Sequence, residues 1–191
     1  MSEAQSIARS EFVLGGQKSG KSRRAEMAAR QWQLQSPSHR AVLVATAQAW
    51  DEEMRQRIFM HQTERAARVP GMITVEEPLA LGDAIAQNSS ADTLVVIDCL
   101  TLWLTNLLMP AEGVAVHDTD QHTDRLLDAL RGATGPLVIV GNEIGLGVIP
   151  MGRETRAFVD ALGRLNQRVA AACDRVTLMA AGLPLSLKGQ P

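Results

Sequence analysis

The chain has 191 residues, of which 46% are hydrophobic and 21% charged, and its formal net charge is −2. This length suffices for one well-buried core and is short for two, so a single domain is expected. A charge so close to neutral gives no field that would gather nucleic acid or an anionic membrane surface. Aromatic residues make up only 3% of the chain and tyrosine is absent, so stacking platforms for bases are scarce. The composition therefore argues against a nucleic-acid-binding protein.

Residues 1–11 are polar and predict a flexible leader, which places the single domain at 12–191. The leader has no apolar signal core. The longest apolar run, 94–109, is interrupted by polar side chains, so no membrane span is expected. Cys99 and Cys173 lie in apolar segments without metal-ligand or CxxC spacing, as buried reduced thiols do. A cytoplasmic location follows from these patterns.

The first strand, Phe12–Leu14, leads through a glycine-rich turn into a helix that runs from Ser22 to about Gln35. The turn fits the P-loop pattern GxxxxGK[ST] in full, with the residues Gly15, Gly16, Gln17, Lys18, Ser19, Gly20, Lys21 and Ser22. In such a loop the backbone N–H groups wrap phosphates, Lys21 adds a positive charge and Ser22 is a ligand for Mg²⁺. Because a strand precedes the motif and a helix follows it, the pattern favours a nucleotide site over an ordinary turn.

The apolar run 41–46 predicts a buried parallel strand. After it, acidic residues from Asp51 open a helix that reaches about Arg65 and places Met54, Ile58 and His61 on one face. Spacing alone makes His61 a packed core or surface histidine. A turn at 69–71, a short strand at 72–75 and a helix at about 79–87 complete this part of the chain.

The strongest strand signal is 93–98, which is apolar and β-branched and ends in Asp98. This is the form of a Walker B strand, whose carboxylate holds Mg²⁺ directly or through water. A buried helix is predicted at 100–109, a surface loop at 111–118 and an amphipathic helix at 120–131. Ser22 and Asp98 are therefore the two predicted metal-side residues.

The next strand, 136–141, delivers an unusual polar and glycine-containing loop at 142–150, which predicts a ligand loop because parallel sheets bind ligands at their carboxyl edge. The longest helix follows at 153–173, and two short strands at 175–180 and 183–187 predict a hairpin at the sheet edge. Strands that alternate with helices indicate an α/β, P-loop NTPase-like domain with a mostly parallel central sheet, helices on both faces and a C-terminal hairpin.

Five stretches together resemble one enzyme family. They are GGQKSGKSRRAE at 15–26, VATAQAWDEEMRQRIFMHQTER at 44–65, TVEEP at 74–78, VVIDCLTLWLTNLL at 95–108, and GNEIGLGVIP with the later RLNQRVA. The chain is similar over nearly all its length beyond the leader to the bifunctional adenosylcobinamide kinases and adenosylcobinamide-phosphate guanylyltransferases of cobalamin biosynthesis. The acidic start and histidine of the second helix, and the NEIGLGVIP loop, are the most specific parts of this resemblance.

The resemblance implies two reactions on a corrinoid substrate. The hydroxyl of adenosylcobinamide is phosphorylated with ATP or GTP, and GMP is then transferred from GTP through a guanylylated histidine, which here is His61. Lys21 is the second implied catalytic residue, and Mg²⁺ is the implied cofactor. The implied nucleotide contacts beyond the P-loop are Val44, Ala45, Thr46, Gln62, Thr63, Glu64, Arg65, Glu76 and Asp98. A homotrimer is also implied, and apolar surface on the 100–109 helix and on the His61 helix is expected to serve it.

Two other interpretations stay open at this point. The protein is a simple P-loop small-molecule kinase in which His61 is structural, or it is a nucleotide-binding switch or assembly ATPase that works with a protein partner. Covalent GMP would separate the transferase from the simple kinase. The absence of an appended interaction domain favours the transferase over the switch.

Overall fold

A computed structural model describes residues 7–110 and 113–189. Seven strands and six helices occur in this part of the chain. The strands are β1 (Ser10–Gly15), β2 (Arg40–Ala45), β3 (Ile73–Glu76), β4 (Thr93–Asp98), β5 (Leu137–Asn142), β6 (Arg175–Ala180) and β7 (Leu183–Lys188). The helices are α1 (Lys21–Gln35), α2 (Glu52–Arg68), α3 (Leu81–Asn88), α4 (Leu100–Leu108), α5 (Thr119–Gly132) and α6 (Arg153–Ala172).

All seven strands form one sheet in the order β3-β2-β4-β5-β1-β6-β7. Every pairing is parallel except β6 with β7, which is antiparallel. Strand β5 lies between β1 and β4, so the strand that leads into the glycine-rich loop is separated by one strand from the strand that ends in Asp98. The predicted α/β fold with a C-terminal hairpin is confirmed.

Two apolar layers cover the sheet. Helices α3, α4, α5 and α6 pack on one face around the fully buried Trp103, and their cluster includes Phe12, Ile97 and Ile139. Helix α1 packs on the other face, where Ala25 and neighbouring residues meet alternate strand residues such as Val13 and Val96. The alternation of strand side chains between the two clusters is what a parallel sheet with helices on both faces requires.

Helix α4 exposes less apolar surface for an oligomer contact than predicted. Trp103, Leu104 and Leu107 are buried against the sheet, and the indole Nε1 of Trp103 donates to the Leu79 carbonyl at 2.8 Å. Most of the apolar surface expected there is therefore core, whereas Met109, just after α4, is exposed. The segment 100–109 thus offers less apolar surface to an oligomer than predicted.

The first strand begins earlier than predicted. Ser10 and Glu11 belong to β1 and are buried, although their polarity suggested a leader. Glu11 accepts hydrogen bonds from Arg24 Nε and Thr177 Oγ1, both at 2.8 Å, which explains how an acid is accommodated in the sheet. The first six residues of the predicted leader lie outside the described residues.

Among the described residues, no helix has the length and apolar character needed to cross a membrane.

Candidate nucleotide site

The glycine-rich loop connects β1 to α1 as the motif predicts, and its shape depends on residues with left-handed backbone conformations. Gly15 has φ of 151° and Gly20 of 101°, and Lys18 between them has φ of 55°. A side chain at Gly15 would place its Cβ 2.5 Å from the Met179 carbonyl and 2.6 Å from Ser19 Oγ. Only glycine fits there, because both the close approach and the positive φ exclude a Cβ atom.

Lys21 is the buried cation of the loop, with 8% of its surface exposed. Its Nζ donates to the Gly16 carbonyl at 2.6 Å, which folds the side chain back over the loop. Burial lowers the pKa of Lys21, and the charge of Asp98 acts in the opposite direction. A triphosphate bound in the loop would favour the charged ammonium further, since it brings several negative charges to a partly desolvated site.

The loop is fixed by its two neighbouring segments. The backbone N–H of Glu143, just after β5, donates to the Gly15 carbonyl at 3.2 Å. On the other side the Gly182 N–H, in the turn between β6 and β7, donates to the Ser19 carbonyl at 3.1 Å. The polar loop predicted after β5 therefore does lie directly beside the nucleotide site, as parallel strands place it.

Asp98 and Ser22 fit the pattern of a magnesium site that relies on substrate oxygens. Both residues are partly exposed, one at the end of β4 and the other in the first turn of α1. No cluster of three or more metal-binding side chains occurs within 7–110 and 113–189. Mg²⁺ takes only one or two protein ligands and completes its shell with phosphate oxygens and water, so two residues suffice.

The end of β2 is buried and hydrogen-bonded to the segment after β4. Val44 and Thr46 have no exposed surface. The Thr46 hydroxyl donates to the Cys99 carbonyl and accepts from the Cys99 N–H, both at 2.8 Å. The Thr46 N–H is also used, because it donates to the Asp98 carbonyl at 3.1 Å. Thr46 thus positions the end of β4, and Ala45, which precedes it, is partly exposed. The nucleotide contacts of Val44, Ala45 and Thr46 stay predictions.

Helix α2 presents His61 to solvent. Asp51 caps the helix by accepting from the Met54 N–H at 2.7 Å, as the acidic start predicted. Arg65 is the only buried residue of α2, and His61 is exposed. Within the described ranges, no hydrogen bond or ion pair joins His61 to another side chain or to the glycine-rich loop. His61 is therefore accessible from solvent, as a nucleophile that must meet a bound substrate is.

The residues after His61 separate into two groups. Gln62, Thr63 and Glu64 are exposed, whereas Arg65 is buried and donates from Nη2 to Thr74 Oγ1 at 3.3 Å. Arg65 thus ties α2 to β3, and its nucleotide contact stays a prediction. Glu76, at the end of β3, is exposed and remains a predicted contact.

Several polar residues that support the site were not singled out from the sequence. Thr101 Oγ1 accepts from the Asn142 N–H at 3.0 Å, and Asn166 Nδ2 donates to the Asn142 carbonyl at 3.1 Å. The amide of Asn106 donates to the Thr46 carbonyl at 2.8 Å. These side chains lie on helices that begin far along the chain, so no local spacing marks them. The VVIDCLTLWLTNLL and RLNQRVA stretches do contain them, which is the one available signal.

The fold and the loop define a P-loop nucleotide-binding protein. The flagellar accessory protein FlaH from Methanocaldococcus jannaschii superimposes with a TM-score of 0.54 at 10% identity, covering 98% of this chain and 82% of FlaH. A Pyrococcus horikoshii OT3 protein, described as a structural study of project PH0250, superimposes with a TM-score of 0.52 at 8% identity, over 97% of this chain and 88% of its own. Likenesses at this identity establish the fold alone.

The sequence relationship is closer. Residues 11–187 match the family described as cobinamide kinase / cobinamide phosphate guanyltransferase. The bifunctional adenosylcobalamin biosynthesis protein CobP of Pseudomonas aeruginosa is 43% identical over 95% of this chain and 98% of its own. The CobU proteins of Salmonella typhimurium and Escherichia coli are each 33% identical over 93% of this chain and 98% of theirs. The chain therefore belongs to the cobinamide kinase / cobinamide phosphate guanyltransferase family.

Proposed function

We propose that this protein phosphorylates the hydroxyl of adenosylcobinamide and then transfers GMP from GTP to the resulting phosphate, with His61 as the residue that carries GMP. The observation that supports this most is the pairing, in one family member, of an intact P-loop with an exposed histidine that has no internal partner among the described residues. The covalent step through His61 is what distinguishes the proposed transferase from a simple kinase.

The kinase step needs little more than positioning and charge. The substrate hydroxyl oxygen attacks the γ-phosphorus of ATP or GTP and releases its proton to water. The bond from that phosphorus to the bridging oxygen breaks, and the nucleoside diphosphate leaves. Lys21 and the backbone N–H groups of the loop stabilise the negative charge on the phosphates. Mg²⁺, held by Ser22 and Asp98, would supply further neutralisation of the phosphate charge.

The second reaction forms and breaks a covalent bond at His61. The neutral imidazole attacks the α-phosphorus of GTP, and pyrophosphate leaves toward Lys21. The oxygen of adenosylcobinamide phosphate then attacks the same phosphorus and releases the histidine, which gives adenosylcobinamide-GDP. Because only the neutral ring is a nucleophile, acid should inhibit the first half of this sequence.

Labelling with [α-³²P]GTP tests the proposal directly. Wild-type protein should retain acid-labile, base-stable label after denaturation, as a phosphoramidate does, and His61→Ala should retain none while keeping part of its kinase activity. His122→Ala is the matched control, since His122 lies on α5 and its ring forms an edge-to-face pair with that of another histidine, His117. If His61→Ala is labelled at the wild-type rate, His61 is not the carrier.

The cellular location and the oligomeric state complete the proposal. We place the protein in the cytoplasm, since Cys99 and Cys173 are buried free thiols. We also propose a homotrimer, and the exposed apolar side chains that support it are Phe59 and Met60 of α2 and Leu183, Leu185 and Leu187 of β7. Exposed apolar groups on an edge strand mark a contact surface.

A further inference from the structure

A cleft that the proposed reactions do not yet use opens on the β6 side of the glycine-rich loop. It lies between α1 and the β6–β7 hairpin and has a volume of about 600 Å³, which is within the range of small-molecule sites. The loop forms one end of the cleft through Lys18, Ser19 and Gly20. The cleft is thus continuous with the place where phosphates bind.

The walls of the cleft suit a flat, partly apolar group. Arg23 and Met27 lie one turn apart on the exposed side of α1, and Met27 has 52% of its surface exposed. Guanidinium groups and thioethers both pack well on aromatic rings. Opposite them stand Gly182 and Pro184 of the hairpin.

The hairpin turn is held against the loop, so the opening between them is built into the fold. In addition to the hydrogen bond from Gly182 to Ser19, a Cβ atom at Gly20 would lie 3.4 Å from the Cα of Gly182. Ser19 is buried, and its Oγ has no hydrogen-bond partner among the described residues. The turn therefore fixes the end of the cleft and leaves one hydroxyl available there.

Charge distinguishes this cleft from an ordinary surface groove. Four cationic side chains and one carboxylate line it, and the carboxylate of Glu11 is already bonded to Arg24. Lys18 and Arg23 are exposed, and neither forms an ion pair with any residue in the described ranges. An excess of positive charge beside a phosphate-binding loop favours an anionic ligand.

The two proposed reactions require the triphosphate to lie in the glycine-rich loop in opposite orientations. For GMP transfer the α-phosphorus must face His61, so the guanosine lies toward α2 and β2, on the β4 side of the glycine-rich loop. For phosphoryl transfer the γ-phosphorus must face the corrinoid hydroxyl. Since the corrinoid phosphate later reacts at His61, its hydroxyl approaches from that same side, and the nucleoside of the phosphoryl donor must leave the loop on the other side.

We infer that the cleft between α1 and the hairpin binds the nucleoside of the triphosphate that donates the γ-phosphoryl group. This inference rests on the proposed function. The base lies against Arg23 and Met27, and Lys18 contributes positive charge next to the phosphates. One P-loop thus serves two reactions by holding two triphosphates in opposite orientations.

The double variant Arg23→Ala/Met27→Ala tests this orientation, since both side chains are exposed and their loss leaves the core intact. Its KM for ATP and for GTP in the kinase reaction should rise at least about tenfold, while the rate of His61 labelling by [α-³²P]GTP changes by less than about twofold. Arg131→Ala, which removes an exposed arginine from α5 on the opposite face of the sheet, should change neither quantity. Photolabelling of wild type by 8-azido-ATP should modify peptides from 18–31 or 179–184.

Failure of the proposed function and failure of the second nucleoside site would give different results. Wild-type protein with neither kinase activity nor histidine label would overturn the proposed function. Wild-type protein with both activities, combined with a double variant whose KM is unchanged or whose two activities fall in parallel, would overturn the second nucleoside site alone. An azido adduct confined to 44–76 would overturn it as well.

Discussion

At the scale of single residues, the site depends on a lysine that the fold itself buries. The hydrogen bond from Lys21 to the Gly16 carbonyl at 2.6 Å gives the ammonium a partner within the loop. A buried ammonium without such a partner would be costly. The bond therefore keeps Lys21 within the loop, and the ammonium has two further N–H donors for phosphate oxygens.

Asp98 should act through the metal and not through the stability of the fold. Asp98→Asn is expected to raise the Mg²⁺ concentration needed for half-maximal kinase activity at least about fivefold, because an amide is a weaker ligand for a hard cation than a carboxylate. A Mg²⁺ titration of the initial rate measures this. Asp92→Asn, at a partly exposed residue just before the same strand, is the matched control. Identical titration curves for wild type and Asp98→Asn would exclude the role.

At the scale of secondary-structure elements, the ends of β2 and β4 are joined by one hydroxyl. Thr46→Val keeps the shape of the side chain but leaves the Cys99 N–H and carbonyl without their partner. The free energy of unfolding should fall by about 1–3 kcal/mol, the cost of buried groups that lose a hydrogen bond. Urea denaturation measures it, with Thr46→Ser as the control that retains the hydroxyl. A loss as large in Thr46→Ser would show that packing, and not hydrogen bonding, matters at this position.

The sequence was most informative where one segment alone determines its structure. Strand β4 was predicted at the observed residues because its apolar, β-branched run is bounded by polar residues. The P-loop and α1 were equally clear, since glycine positions and helix context are local. Prediction failed where distant segments decide the outcome. Glu11 was assigned to the leader because its hydrogen-bond partners, Arg24 and Thr177, are not adjacent to it in sequence. Likewise, no pattern in 41–46 shows that the Thr46 hydroxyl is hydrogen-bonded to Cys99.

At the scale of the whole molecule, two buried thiols make the free energy of unfolding decrease as the pH rises through the alkaline range. Burial raises the pKa of Cys99 and that of Cys173 from 9.0 to about 12. The folded protein then keeps both protons where the unfolded chain loses them, so this contribution is fully present below pH 9 and is lost as the pH rises toward 12. The chain contains no tyrosine whose ionisation would obscure the effect.

Urea unfolding at a series of pH values from 8 upward checks this expectation. Wild-type stability should decline above pH 9, and the decline should be shallower in Cys99→Ala/Cys173→Ala, in which the thiols are gone. Equal slopes in the two proteins would assign the decline to other groups.

The proposed trimer is a property of the whole molecule and is independent of the chemistry. Light scattering should give three times the chain mass of 20.6 kDa, about 62 kDa, at working concentration. Leu185→Lys places a charge in the middle of the exposed edge strand and should lower that mass if β7 forms part of the contact. A wild-type mass of 20.6 kDa would contradict the trimer.

The position of β1 between β5 and β6 also determines when this protein can fold during its synthesis. Strand β1 pairs with Leu137–Asn142 on one side and with Arg175–Ala180 on the other, and more than 100 residues separate β1 from the first of these partners. At ribosomal rates of roughly 5–20 residues per second, the N-terminal strand waits on the order of ten seconds for its neighbours. The nascent chain thus carries its glycine-rich loop without a completed sheet until β5 and β6 have been translated, and a ribosome-bound chain halted before β5 should be unable to retain a nucleotide.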